Sequence, residues 1–185
     1  MADVTAIIAS PRKGGNCAAI VNMMVDVLTA EGKTVDVYRL NDIEGKGCQA
    51  CYACKKAGKC VRKDGFTPVL ESIAQSGSLI LATPDYFGQA CAQYRLLEDR
   101  MYGYVGMDAE GNFTANIPAG KKVAVVVTSG SGAGADNIVN GIKGVMGGFL
   151  KCDVVGEINY KEGPSGPAAE NAEAMAEAEA LAKKL

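Results

Sequence analysis

A doubly wound α/β fold, with a five-stranded parallel sheet between two layers of helices, is what this sequence predicts. Two observations carry that expectation. Short apolar runs rich in β-branched residues, such as "VTAIIA" and "KKVAVVVT", suit strands buried on both faces. From end to end they alternate with longer stretches that read as helices, the signature of strand–helix–strand units.

Val4–Ala9 is the first strand. "SPRKGGNC" (10–17) leads into a helix ending at Gly32, with Asn16 as its expected N-cap. "TVDVYRL" (34–40) alternates as a second strand. A cysteine-rich insert near 45–64 comes next, then a helix over 67–75. "SLILAT" (78–83) is a third strand that ends on "PDYFG". Residues 90–104 read as helix, 106–120 as a Gly- and Asn-containing connection, and 121–128 as a fourth strand. "SGSGAGADNIVNGIKGVMGGFL" is loop then helix, and "CDVVGEINY" is the fifth strand. The Ala/Glu-rich tail from Pro167 to Leu185 is a final amphipathic helix. No repeat or linker divides the chain, so residues 1–185 are expected to form one flavodoxin-like domain of three layers.

Composition narrows the function. With 19 Lys and Arg against 21 Asp and Glu, the net charge is −2 and both signs are dispersed. A nucleic-acid partner would favour a strongly basic face. The N-terminus lacks a basic segment followed by an apolar run, and no stretch approaches the ~20 apolar residues of a bilayer span. The expectation is a cytoplasmic protein with no membrane partner, where clustered cysteines stay reduced and serve metal or redox chemistry. Histidine is absent, which removes the commonest general base and any mixed Cys/His zinc site. Chemistry must then run on thiols, carboxylates, amines, phenols or a bound cofactor.

Ligands of doubly wound sheets bind outside the carboxyl ends of the strands. Three loops share that edge. The first, "SPRKGGNC", offers hydroxyl, amide and N–H donors, two cations (Arg12 and Lys13), and a helix N-terminus suited to a phosphate. It matches neither G-x-x-x-x-G-K-[ST] nor G-x-G-x-x-G. The second places Pro84, Tyr86, Phe87 and Gly88 at the end of the third strand, where aromatic rings suit a planar ligand. The third, "TSGSGAG", supplies free N–H groups after the fourth strand. Together they suggest a phosphate at one end and a flat heterocycle at the other, as in a mononucleotide such as FMN.

Cys48, Cys51, Cys54 and Cys60 are spaced C-x2-C-x2-C-x5-C. Four thiolates can hold a 4Fe-4S cluster, with three converging from one tight loop and the fourth reaching back across a turn at Gly58. Structural zinc is a rival, although zinc sites usually present two separated knuckles. Metal-free thiols, or a transient disulfide, are the other reading. Lys55, Lys56, Lys59, Arg62 and Lys63 flank the block, where they offset thiolate charge, dock an acidic electron-transfer partner, or simply face solvent. Cys91 and Cys152 are expected to be packing residues, and Asp99 with Arg100 a structural ion pair.

"SPRKGGNC", "CQACYACKKAGKC" followed by "VRKDG", and "PDYFGQACAQYRLLEDR" together resemble the NADPH-dependent FMN reductase superfamily, in its iron–sulfur flavoprotein branch. The resemblance spans nearly the whole chain. It implies FMN held at its phosphate by Ser10, Arg12, Asn16 and Cys17. It implies a ring lined by Pro84, Tyr86, Phe87 and Gly88 and closed by Ser129 and Gly130. It also implies a homodimer or homotetramer, a reduced donor (ferredoxin or NAD(P)H) and a small acceptor. The chemistry then belongs to the flavin, and no side chain is expected to be catalytic. Three positions depart from the family pattern: Cys17 replaces Thr or Ser, Cys91 replaces a small hydroxyl or apolar residue, and "KDGF" replaces paired acids followed by Met. Two other functions fit the residues. One is a cluster-free NAD(P)H oxidoreductase acting on flavins or quinones. The other is a non-catalytic zinc- or thiol-based redox sensor.

Overall fold

A computed structural model describes residues 2–185. Its strands are β1 (Val4–Ile8), β2 (Val35–Arg39), β3 (Ser78–Tyr86), β4 (Gln89–Ala90), β5 (Val105–Met107), β6 (Phe113–Ala115), β7 (Lys122–Ser129) and β8 (Asp153–Lys161). The helices are α1 (Asn16–Ala30), α2 (Cys54–Ala57), α3 (Phe66–Gln75), α4 (Ala92–Met101), α5 (Ala135–Lys143) and α6 (Ala172–Ala182). The sheet order is β2-β1-β3-β7-β8, with these five strands parallel. That is the flavodoxin-like order, with its switch point between β1 and β3.

Alternation along each strand assigns side chains to the two faces. Val4, Ala6 and Ile8 of β1 join Ile80, Val126 and Ile158 in a core beneath α1 and α6. Ile7, Leu79, Leu81, Val123 and Val125 face the opposite core, under α3, α4 and α5. Both faces are dry, which is why β1 and β3 read as continuous apolar runs. On the first face α6 lies so close to β8 that a Cβ at Gly156 would come 2.8 Å from Leu181 Cδ1. The register between β7 and β8 slips at Val123/Ala124, where β8 carries one extra residue.

Three local details differ from expectation. Gly15, not Asn16, occupies the N-cap position of α1, and it provides no side-chain cap. The Asn16 side chain instead donates to Glu162 Oε2 at 3.1 Å and accepts from the Ala168 N–H at 2.9 Å. The 106–120 connection contains the hairpin β5–β6, closed over an Asp108–Asn112 turn. Asp99 and Arg100 do not pair with each other. Asp99 accepts from Arg95 Nη2 at 3.0 Å, one helical turn away, while Arg100 reaches Asp64. Cys91 and Cys152 are buried as expected. No described helix is long and apolar enough to cross a membrane.

Candidate functional site

β1, β3 and β7 end side by side, and the loops that leave them enclose a cavity of about 170 Å³. Ser10, Arg12, Asn16, Pro84, Tyr86 and Ser129 are among its walls, with Gly15, Asp85, Gly130 and Glu162. The floor is built by the first loop. Ser10 is buried, and its Oγ accepts from the Arg12 N–H at 3.3 Å, folding the chain toward α1. Because Gly15 brings no oxygen to cap α1, and its first turn holds no acidic side chain, the opening N–H groups stay free for an anion. Arg12 adds a cation.

Of the other residues expected here, Lys13 is exposed and lies outside the cavity wall, its carbonyl accepting from Arg39 Nη1 at 3.3 Å. Cys17 is not among the residues that line the cavity. Its thiol is buried 3.1 Å from Thr128 Oγ1, which leaves only its backbone N–H for the loop. Burial pushes that thiol up to about 11, against the hydrogen bond to Thr128 that lowers it, so it stays neutral at physiological pH and does not repel an anion.

The second loop is a tight hairpin. β4 pairs back on β3 through Asp85 and Tyr86, and Phe87 and Gly88 turn the corner with φ of 59° and 74°. The Gly88 N–H donates to Asp85 Oδ1 at 2.7 Å. Pro84 and Tyr86 line the cavity; Phe87 stands fully exposed beyond it. The third loop meets the second where a Cβ at Gly134 would come 2.2 Å from Gly88 Cα. Gly134→Ala is therefore expected to lower thermal stability by about 1–3 kcal/mol, because backbone must move to relieve the clash. The same substitution at Gly130, which has open space around it, is expected to change stability little.

Ser129 Oγ is buried without a hydrogen-bond partner at the edge of this cavity. Buried hydroxyls are nearly always paired, so this one is available to a ligand. Asp85 and Glu162 were not legible as site residues. Glu162 arrives from beyond β8, its N–H donating to Ser129 O at 2.8 Å, and its carboxylate fixes Asn16. An uncapped helix end, a guanidinium and an orphan hydroxyl fit a phosphorylated ligand. Tyr86 and Pro84 fit the side of a planar ring.

The cysteine block forms a second, separate cavity of about 320 Å³ that shares no lining residue with the first. All four thiols line it, and none is in a disulfide. Cys48 and Cys51 are exposed on irregular chain, where Ala50 and Tyr52 take φ of 50° and 57°. Cys54 opens α2, and Gly58 closes that turn at φ 70°, its N–H donating to Cys54 O at 2.8 Å. Cys60 lies against the end of α4, and the buried Arg100 donates from Nε to its Sγ at 3.4 Å. Among the described residues no three Cys, Asp or Glu side chains converge on a point that would hold a single metal ion. Beside this cavity runs an apolar groove of about 590 Å³ between Tyr102, Phe113 and Phe149.

Most cations around the block are engaged within the chain. Lys55 Nζ donates to Tyr102 O and Val105 O at 2.9 and 2.7 Å and lies over the Tyr102 ring. Lys59 pairs with Glu71, and Arg62 with Asp64. Burial pushes the Asp64 carboxyl up. Arg100, the N–H groups of Lys46 and Phe66, and Arg62 outweigh that and bring it from 3.8 to about 2. A folded value below the unfolded one gives stability that is complete above 3.8 and lost as pH falls toward about 2. Urea midpoints are therefore expected to drop across that window, and to drop less in Asp64→Asn.

Known proteins resemble this chain in sequence and in fold. Over 97 residues the chain is 34% identical to an iron–sulfur flavoprotein of Methanosarcina thermophila, an alignment covering 52% of this chain and 51% of that one. Over 125 residues it is 32% identical to an iron–sulfur flavoprotein of Archaeoglobus fulgidus, covering 68% and 58%. The chain thus spans about half the length of the curated relatives it matches. Among solved structures, azoreductase AzrA superposes with a TM-score of 0.75 at 15% identity, over 98% of this chain and 99% of that one. An NAD(P)H:quinone oxidoreductase from Methanothermobacter marburgensis gives 0.68 at 17%, over 99% and 96%. These two likenesses show the fold. The sequence from residue 2 to residue 180 matches the model of one family, and the chain belongs to it: the NADPH-dependent FMN reductases.

Proposed function

We propose that this chain is an FMN-dependent oxidoreductase that moves electrons between a reduced donor, ferredoxin or NAD(P)H, and a small acceptor, through FMN in the three-loop cavity and a 4Fe-4S cluster at Cys48, Cys51, Cys54 and Cys60. The single observation that carries the flavin is the joining, in one cavity, of an uncapped helix N-terminus, Arg12 and the unpartnered Ser129 Oγ. FMN bound there supplies hydride acceptance and one-electron release. The chain's own residues orient it. The α1 N–H groups and Arg12 hold the phosphate, Asn16 is fixed by Glu162 to shape that loop, and Tyr86 and Pro84 set the plane of the ring.

The cluster rests on the donor set: four reduced thiols around one largely apolar cavity, with a buried guanidinium beside them. A cluster takes one thiolate per iron, so its ligands need not meet at a single point as zinc ligands must. The exposure of Cys48 and Cys51 favours a second reading, in which the thiols stay metal-free and the chain is a plain NAD(P)H oxidoreductase. Homodimer or homotetramer assembly and a cytoplasmic setting belong to the same proposal.

Titrating flavin-free protein with FMN and with riboflavin, followed by flavin fluorescence, tests the cavity. FMN is expected to bind at least about 100-fold tighter, since two charge-assisted hydrogen bonds to phosphate contribute about 1.5–3 kcal/mol each. Equal affinity for the two would remove the phosphate from the account.

A further inference from the structure

Arg100 is the largest fully buried side chain, 1% exposed, and it does not line the flavin cavity. A buried guanidinium is costly unless its N–H groups are used. Here they are. Nη1 donates to both Asp64 oxygens at 2.6 and 2.7 Å and to Lys46 O at 3.3 Å. Nη2 donates to Arg62 O at 3.1 Å, and Nε to Cys60 Sγ at 3.4 Å. Every one of these acceptors belongs to the segment that carries the cysteines. The backbone supports the same contact. A Cβ at Gly103 would come 2.5 Å from Cys60 N, so the chain at Cys60 lies directly on the end of α4. The Cys48 Sγ, by contrast, accepts from within its own loop, from the Ala50 N–H at 3.5 Å.

The geometry points to Arg100 as the positioning residue for Cys60 and the group that raises the reduction potential of the centre bound by the cysteine block, an inference that rests on the proposed cluster. Reduction adds one negative charge to such a centre. A buried cation that also donates to a ligand sulfur stabilises the reduced state more than the oxidised one. Asp64 opposes this, because its carboxylate offsets the guanidinium 2.6 Å away. The two members of the pair therefore act on the potential with opposite signs. Outer-shell groups of this kind are a recognised lever on metal sites.

The test is a spectroelectrochemical titration of the anaerobically purified full chain, carrying its own flavin and iron, as wild type, Arg100→Gln and Asp64→Asn. Arg100→Gln is expected to make reduction about tenfold less favourable, a shift of about 59 mV to more negative potential for one electron. Asp64→Asn is expected to shift it in the positive direction by a similar amount. A purely structural role would loosen the same loop in both variants and move both potentials the same way, which would overturn the assignment. Iron-bearing variants whose potentials do not move would overturn it as well. If Arg100→Gln does not fold, Asp64→Asn decides: a positive shift supports the inference, and no shift or a negative one ends it. Wild-type protein without iron would overturn the proposed cluster and this inference together, whereas an unmoved potential in iron-bearing protein overturns the inference alone.

Discussion

Replacing Cys54 with Ser is expected to give folded protein that keeps its flavin and loses its iron. Cys54 opens the short α2 turn and lines the cavity with the other three thiols, yet it belongs to neither hydrophobic core. Its removal should therefore leave the sheet and the flavin loops in place. Losing even an outer-shell partner of a metal ligand costs about 10–100-fold in metal affinity or activity, and losing a ligand costs at least that much. Ferredoxin-driven transfer should fall by about 100-fold or more, while NAD(P)H-driven reduction of a small acceptor, measured on the same preparation, stays within about threefold on the same scale. Iron analysis and stopped-flow kinetics check the two halves. If both activities survive with iron absent from variant and wild type alike, the metal-free reading replaces the cluster.

Gly15→Asp is expected to separate stability from flavin binding. Gly15 has φ −84° and ψ 176°, extended backbone that any residue adopts, and it sits where α1 lacks a cap. Asp is among the best N-caps, so the helix should gain a few tenths of a kcal/mol over glycine, or about that. The new Cβ would lie 3.0 Å from Arg12 Cβ, an atom the backbone holds in place, so the turn from Arg12 to Gly15 must give by a few tenths of an ångström and part of that gain is offset. The carboxylate, however, would occupy the N–H groups proposed for the phosphate and repel its charge. Affinity for FMN should fall by about 100-fold or more, the loss of two charge-assisted hydrogen bonds, while affinity for riboflavin changes far less. Thermal melts of flavin-free protein and fluorescence titrations measure the two effects. A fall in melting temperature with unchanged FMN affinity would mean that the helix end does not hold the phosphate.

The strands and the loops at their ends were legible because burial on both faces leaves continuous apolar runs, and because the sheet order fixes which loops meet. What escaped reading depends on contacts far apart in sequence. Glu162 enters the three-loop cavity from 146 residues beyond Asn16, and no local pattern announces it. The β5–β6 strands are three residues each, too short for alternation to show. Arg100 was misread for an avoidable reason. Adjacent residues on a helix point in different directions, so Asp99 and Arg100 are poor partners, while Arg95 with Asp99 has the spacing of a real pair. An arginine in the apolar stripe of α4, beside Leu97 and Met101, needed a buried partner from elsewhere. The cysteine spacing suggested a cluster loop, with zinc and metal-free thiols as rivals, but not that one sulfur would rest on the fold's own guanidinium.

Absorption spectroscopy with iron, zinc and flavin analysis on anaerobically purified protein is the most direct measurement of all. Flavin bands with a broad shoulder to longer wavelength, FMN released on denaturation, and iron in excess of zinc are the expected result. Colourless protein carrying one zinc per chain, and unable to take up added FMN, would contradict it.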